Sequence, residues 1–403
     1  MNIRTHEHMP RLLSFGMIDP CTIWEVDGDA YRRIPKGSQY HSGRWSRLWE
    51  FCQSDLFRQL QVEGFIMPHE LNSDGTWAKT KLIRPDTSFR VWTNLMLRDA
   101  MLNACNMNLF LIENQPTNDR FIAVDANAGN LGFNFCDPIY IDIGSFTHRH
   151  NLNHIVREHM ASCHANARLN IDWSGCKDLN DLKSALEGWS EFEAPGHWDD
   201  YSQVDWPVDR SKITPRSKEE DLILRWCRSG LVSTAIDVGC NSGRLSLLLA
   251  REGIEVIGVD SCPSPMNRLY RAARSMKLPI SCIVLDVSDL WKSHNAELMC
   301  VAKFHRTWQQ MRSEACIASS VMHHLSKQMN FSEQARLWDD LSDRYLMIEW
   351  IDPTDVHLKS WDLPEWYRHD VWLKSLTDEG WEILETVAGI EVPERTWYLM
   401  RKL

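Results

Sequence analysis

The chain has no C-x-x-C pair, and its 12 cysteines fall at no framework spacing. That argues against a disulfide scaffold or a cysteine-built zinc site and for reduced, buried thiols. No run approaches the ~18 apolar residues that a membrane span requires. The opening Met1-Asn2-Ile3-Arg4-Thr5-His6-Glu7-His8 lacks the apolar stretch of a signal peptide, so a cytoplasmic protein without a membrane is expected. Basic charge is also short: 55 Asp and Glu stand against 44 Lys and Arg, a net charge of −11. This balance disfavours nucleic-acid binding, which needs a basic face. The local cluster Arg268, Arg271, Arg274 and Lys277 fits the solvated side of a helix. Neither a G-x-G-x-x-G dinucleotide turn nor a G-x-x-x-x-G-K-[ST] phosphate loop is present.

What is present describes an ordinary globular protein, 43% hydrophobic and 25% charged, long enough at 403 residues for two cores. The 19 Trp scatter through both halves without a repeat, which suits packing better than a stacking platform. A Pro-, Gly- and Asp-rich stretch at 190–215 reads as a linker, and divides the chain into domains at 1–204 and 205–403.

In the first half, residues 22–34 read as a β-hairpin about Asp27-Gly28. A helix is expected from Ser46 to Leu60, with Leu48, Phe51, Cys52 and Leu56 on one face, and a second, apolar one from about Phe89 to Leu111. Beyond them, Asp125-x-x-x-x-Asn130 and Asp142-Ile143-Gly144 resemble the catalytic loop and metal-binding Asp-x-Gly of protein-kinase-like folds. That resemblance implies an acceptor-orienting Asp125, with Asn130 and Asp142 on magnesium. The first 80 residues hold no Gly-rich loop, no V-A-I-K strand is evident, and no His-Arg precedes Asp125. The competing reading makes Asp142 a turn residue after a strand at Ile139–Ile141, in a degenerate α+β kinase-like accessory domain. Next come His148, His150, His154, His159, Cys163 and His164. Two of their pairs are spaced i, i+4, but no H-E-x-x-H accompanies them, so surface or partner contacts are expected and no metal.

The second half alternates helix and strand, beginning with a helix at Ser217–Cys227. Strands are expected at Ala235–Val238, Ile254–Asp260, Ile280–Leu285, Cys316–Val321 and Tyr345–Ile351, then a helix at Asp370–Glu379 and closing strands Trp381–Val387 and Thr396–Met400. Ser264-Pro265 reads as the cap and first residue of the helix after the second strand. Such alternation implies an α/β fold, a parallel sheet with helices on both faces. The last two strands, with no helix between them, add an antiparallel edge.

Three of the strands end in an acid: Asp237, Asp260 and Asp286. Ligands of open α/β sheets sit at the carboxyl ends of the strands. The first acid belongs to Asp237-Val238-Gly239-Cys240-Asn241-Ser242-Gly243, which resembles motif I of the class I S-adenosylmethionine-dependent methyltransferases. The resemblance implies a Rossmann-like sheet of seven strands and S-adenosylmethionine as cofactor. Asp260, roughly 20 residues past the turn, would then accept from both ribose hydroxyls, and Asp286 from the adenine amino group. Asp237, with the backbone about Gly239 and Ser319, would face the methionine part, and Asn241 and Gly243 complete the cofactor turn.

The motifs Met322-His323-His324-Leu325, Met347-Ile348-Glu349-Trp350-Ile351-Asp352 and Arg395-Thr396-Trp397-Tyr398-Leu399 are similar to those of the nodulation protein NoeA family. In that family a kinase-like region precedes the methyltransferase, and Arg98-Asp99-Ala100 with Asp125 to Asn130 matches that part. The similarity departs between Leu290 and Ala315, where Trp291 to Arg312 read as a divergent insertion on the acceptor side. A base assists methyl transfer to a hydroxyl or amine. His323 and His324, after the fourth strand, are the expected bases, and Glu349 is a further catalytic candidate that orients the acceptor. The acceptor is expected to be a small molecule or carbohydrate, with a protein side chain also open. The competing classes are an ATP- and magnesium-binding phosphotransferase and a non-catalytic binding protein.

Overall fold

The computed structural model describes residues 11–15, 22–26, 29–33, 42–73, 77–81, 83, 91–116, 120–124, 130–148, 155–156, 168–171, 175–190, 209–289, 311–390 and 392–403. It divides into two compact units: Met1–Arg90 with Asn94–Phe192, and Val91–Thr93 with Glu193–Leu403.

The first unit holds a five-stranded antiparallel sheet in the order β1-β2-β3-β5-β4, made of β1 (Arg11–Phe15), β2 (Thr22–Val26), β3 (Asp29–Arg33), β4 (His69–Leu71) and β5 (Trp77–Lys81). β2 and β3 pair as the expected hairpin, with Val26 opposite Asp29. The helix expected from Ser46 to Leu60 is two helices, α1 (Ser42–Gln53) and α2 (Asp55–Val62). Ser54 makes the break. Its extended backbone (φ −71°, ψ 157°) leaves the helix, and its Oγ accepts from Phe57 N at 3.2 Å, as N-capping serines do. α3 (Asn94–Glu113) is the expected apolar helix, with Leu97, Cys105, Met107 and Leu111 fully buried. Two short pairs follow, β6 (Phe121–Ala123) with β9 (Phe146–His148) and β7 (Leu131–Asn134) with β8 (Asp137–Tyr140), and then α4 (Leu179–Glu187).

Asp125 lies outside the described residues, as do His150, His154, His159, Cys163 and His164. Asp142 is described: its Oδ1 accepts from Gly144 N at 3.0 Å and pairs with Arg32 Nη2 at 2.5 Å. A carboxylate so engaged stabilises a turn and neutralises an arginine, the competing reading of Asp142-Ile143-Gly144.

The second unit is built on one sheet. Its elements are α5 (Lys218–Ser229), β10 (Thr234–Val238), α6 (Arg244–Arg251), β11 (Glu255–Asp260), α7 (Pro263–Met276), β12 (Ile280–Val284), β13 (Ser313–Ala318), α8 (Met322–Leu325), α9 (Phe331–Leu341), β14 (Ser342–Ile351), α10 (His369–Asp378), β15 (Trp381–Ala388) and β16 (Arg395–Lys402). The strand order is β12-β11-β10-β13-β14-β16-β15, seven strands, as expected. β10 to β14 pair in parallel, and β16 inserts antiparallel between β14 and β15. The near-continuous apolar runs of β10 and β13 are those of strands covered on both faces: Ile236, Cys316, Ile317 and Ala318 are fully buried. α7 starts two residues earlier than Ser264-Pro265 suggested, because Pro263 already occupies the first helical turn behind Cys262. The expected insertion, apart from Met311 and Arg312, lies outside the described residues.

Candidate active site

Strand order reverses between β10 and β13, and a cavity of about 400 Å³ opens at the carboxyl ends of the strands there. The turn after β10 lies on one side. Gly239, Asn241 and Gly243 all have left-handed backbones, with φ of 71°, 51° and 78°. A Cβ on Gly243 would stand 2.2 Å from Leu269 Cδ1, so this glycine lets α7 pack onto the turn and does not itself line the cavity.

Every N–H of the turn is used inside the protein. Gly239 N and Cys240 N donate to Val259 O at 2.8 and 3.0 Å, and Gly243 N to Cys240 O at 2.8 Å. Asn241 N donates to Asp260 Oδ2 at 2.8 Å and Ser242 N to Asn241 Oδ1 at 2.7 Å. A phosphate cradle needs such donors aimed at the ligand. Here one of them fixes Asp260 and the others tie the turn to itself and to Val259, which takes the Gly239 N–H expected near the methionine part.

The three strand-end acids separate on register. Asp260 and Asp286 line the cavity. Asp260 is the last residue of β11, and its Oδ1 also accepts from Cys262 N at 2.8 Å. Burial raises its carboxyl above the ordinary range, against the N–H groups of Cys262, Asn241 and Ser261 that pull it down. Asp286 lies two residues beyond β12 and accepts from Ser288 N at 2.9 Å. Asp237 is level with Gly258, two residues short of Asp260, which puts it about 6.6 Å deeper along the parallel strands. It is 2% exposed and does not line the cavity; Ser246 Oγ donates to its Oδ2 at 2.6 Å. Burial pushes its carboxyl up to about 6.

The opposite wall comes from the segment after β13 and the loop after β14. Ser319, Ser320, His323, His324, His357, Trp361 and Arg395 all line it. His323 and His324 lie with ring centroids 4.1 Å apart, and Trp361 stands edge-on to both at 5.0 and 4.9 Å. Lys327 Nζ stands over the indole, 3.9 Å from its centroid. Burial, then His324 and Arg395, hold the His323 imidazole down at about 3, so it is neutral across the physiological range. Among the described residues its buried Nδ1 has no hydrogen-bond partner.

Glu349 does not line the cavity. It is 1% exposed at the end of β14 and acts through neighbours: Ser320 N and Oγ both donate to its Oε2 at 2.8 Å. Arg395 Nε donates to Asp355 Oδ2 at 2.9 Å and Nη1 to Ser320 Oγ at 3.2 Å, and Nη1 stands 3.5 Å from Glu349 Oε1. Arg395, Asp355, Ser320 and Trp361 carry no motif of their own; only Arg395 had a sequence signal, as the head of the closing Arg-Thr-Trp-Tyr-Leu run.

Residues 235–329 match the protein-family model described as a methyltransferase domain. The second unit carries a methyltransferase domain. A curated relative, the S-adenosyl-L-methionine-dependent Diels-Alderase iccD of Talaromyces variabilis, is 28% identical over 98 residues, 24% of this chain and 30% of that protein. The chain thus spans under a third of the length of this relative. Among solved structures it is similar to magnesium protoporphyrin IX methyltransferase from Synechocystis PCC 6803 with bound SAH: 16% identity, 46% of this chain, 82% of that one, TM-score 0.36. It is also similar to the bifunctional kinase-methyltransferase WbdD, at 17% identity, 47% of this chain, 40% of that one and a TM-score of 0.34.

The donor set fits S-adenosylmethionine, the cofactor that the motif I resemblance implies. A carboxylate offers about four lone-pair positions. After its backbone N–H bonds Asp260 retains capacity for a ribose diol, and Asp286 for an amino group. A nucleoside without phosphates asks for that pair of acceptors and for nothing from the turn.

Proposed function

We propose that the second unit transfers a methyl group from S-adenosylmethionine to a hydroxyl or amine, on a small molecule or carbohydrate before a protein. The observation that carries this is the pair Asp260 and Asp286, facing one cavity beside a glycine turn whose N–H groups are all spent internally. When bound, the cofactor supplies an electrophilic methyl group. The chain supplies proximity and orientation, the main requirements of an in-line displacement. Asp260 and Asp286 hold the adenosine part, Asn241 and Ser319 border it, and Gly239 and Gly243 shape the turn. Asp237 supports the site from below. His323 and His324 face the acceptor. Neutral and weakly basic, His323 orients the acceptor by hydrogen bonding and leaves proton removal to another group. Glu349 acts from behind Ser320.

The motifs shared with the NoeA family support a kinase-like origin for the first unit. The engagement of Asp142 by Arg32 and Gly144 supports an accessory role over phosphate transfer. The Diels-Alderase relative gives a second reading, in which the same cofactor is held without giving up its methyl.

Calorimetry with S-adenosylhomocysteine is the first test, and methyl label from S-adenosylmethionine supplied to a cell extract is the second. Binding that falls at least about tenfold in Asp260→Ala, the scale of one charge-assisted hydrogen bond, together with label in an acceptor, supports transfer. Binding without label in any acceptor supports the second reading. No binding at all sinks both.

A further inference from the structure

The acids and the base behind Ser320 do not balance. Arg395 serves both Glu349 and Asp355, which are 1% and 0% exposed. Burial opposes charge on Asp355, but the Arg395 hydrogen bond, the His357 N–H and the Arg395 charge prevail and hold its carboxyl below the usual range. With Asp355 ionised, Arg395 is neutralised, and a charge on Glu349 has no full partner. Glu349 Oε1 is buried with no hydrogen-bond partner among the described residues, 3.5 Å from Arg395 Nη1. Two buried acids on one base is costly unless a further positive charge approaches or one acid takes a proton.

Both events belong to methyl transfer. The reaction turns a sulfonium into a neutral thioether and releases one proton from the acceptor. Ser320 Oγ lines the cavity and donates to Glu349 Oε2 at 2.8 Å. Ser320 is a non-glycine residue at φ 51°, a backbone state that needs outside support, and Glu349 Oε2 supplies it by accepting Ser320 N–H at 2.8 Å.

Resting on the methyltransferase reading, we propose that Glu349 is the proton acceptor of the reaction, reached from the cavity through Ser320 Oγ. The acceptor's O–H or N–H proton passes to Ser320 Oγ as the Ser320 proton passes to Glu349 Oε2. The acceptor atom gains the methyl as the carbon–sulfur bond breaks, and the bonding pair stays on sulfur. One positive and one negative charge vanish together, so the buried site does not change net charge. Burial raises the Glu349 carboxyl above its ordinary range, while Arg395 and the Ser320 hydrogen bonds pull it down, which readies it to take a proton. His323 is less basic than this task requires.

The test needs no acceptor. Proton uptake on binding is measured by calorimetry in buffers of different ionisation enthalpy, with S-adenosylmethionine and with S-adenosylhomocysteine as the probes. Among the described residues, the titratable and charged groups that face Glu349 are Arg395 on β16, Asp355 in the loop after β14, and the neutral Tyr367, which itself feels Asp352, Glu349 and Asp355. They are common to both complexes. The sulfonium is the difference. The neutral probe therefore takes up more protons, by about half a proton or more, at a pH above the ordinary carboxylate range. Glu349→Gln abolishes the difference and His323→Ala keeps it. Ser320→Gly, whose backbone suits φ 51°, removes a hydrogen bond to the ionised form and moves the uptake to higher pH. Equal uptake for the two probes, or a difference that survives in Glu349→Gln, overturns the proposal. Failure of either probe to bind the wild type instead overturns the methyltransferase reading.

Discussion

Asp237 is buried within the sheet, and among the described residues its side-chain donor is Ser246 Oγ. In sequence it looks like Asp260, since each acid closes an apolar run. Register decides between them: two residues of depth turn a cavity-lining carboxylate into a buried one. Its titration follows from burial. A carboxyl raised from 3.8 to about 6 in the folded state binds its proton more tightly there than when unfolded. The associated stability is present below the unfolded value and is lost as pH rises through about 6. Ser246→Ala removes a hydrogen bond that favours the ionised form. It should destabilise the second unit by roughly 1–3 kcal/mol, more at pH 8 than at pH 5. Urea unfolding at the two pH values measures this. Equal losses at both would mean that Asp237 does not ionise in the folded chain.

At the scale of elements, α7 meets the turn after β10 where two glycines make room for Leu269. A Cβ on Gly243 would fall 2.2 Å from Leu269 Cδ1, and one on Gly258 would fall 2.9 Å from Cδ2. Gly243→Ala should therefore cost about 2–4 kcal/mol, the left-handed backbone and the overpacking together. Leu269→Ala in the same chain should recover part of that loss, because it empties the space the new methyl needs. Chemical denaturation of both single variants and the double variant gives the coupling. Strict additivity would show that the backbone angle alone, and not the helix contact, requires glycine. These elements were legible in the sequence because their signals are local: an apolar run ending in Asp260 and a glycine turn. The break at Ser54 was less so, since its cap lies inside a continuous apolar pattern. The Arg395 network was legible only in pieces: Glu349 and Arg395 each sat in a motif, but nothing in the sequence linked them to each other, to Ser320 or to Asp355. It joins residues 75, 46 and 40 positions apart, and the pairing of β14 with both β13 and β16 brings them together.

For the whole molecule, the question is which of its two units answers to a nucleotide. The first unit has one kinase-like acid among its described residues, Asp142, and that acid is committed to Arg32 and Gly144 N. The second has two acids facing a cavity with acceptor capacity to spare. A ligand that binds only the native state stabilises by RT ln(1 + [L]/Kd), about 2.7 kcal/mol at a hundredfold excess over Kd. For a unit of this size that is a shift of roughly 5–10 °C in the unfolding midpoint. S-adenosylhomocysteine should produce such a shift, and ATP with magnesium should leave the midpoint where it was. Arg32→Ala sharpens the comparison, because it releases Asp142 from its ion pair and leaves only the turn bond. If Asp142 were a metal ligand held in reserve, ATP with magnesium would begin to stabilise that variant. If it is a turn residue, the variant loses stability and still ignores ATP, and this second outcome is expected from the bond to Gly144 that the substitution leaves intact.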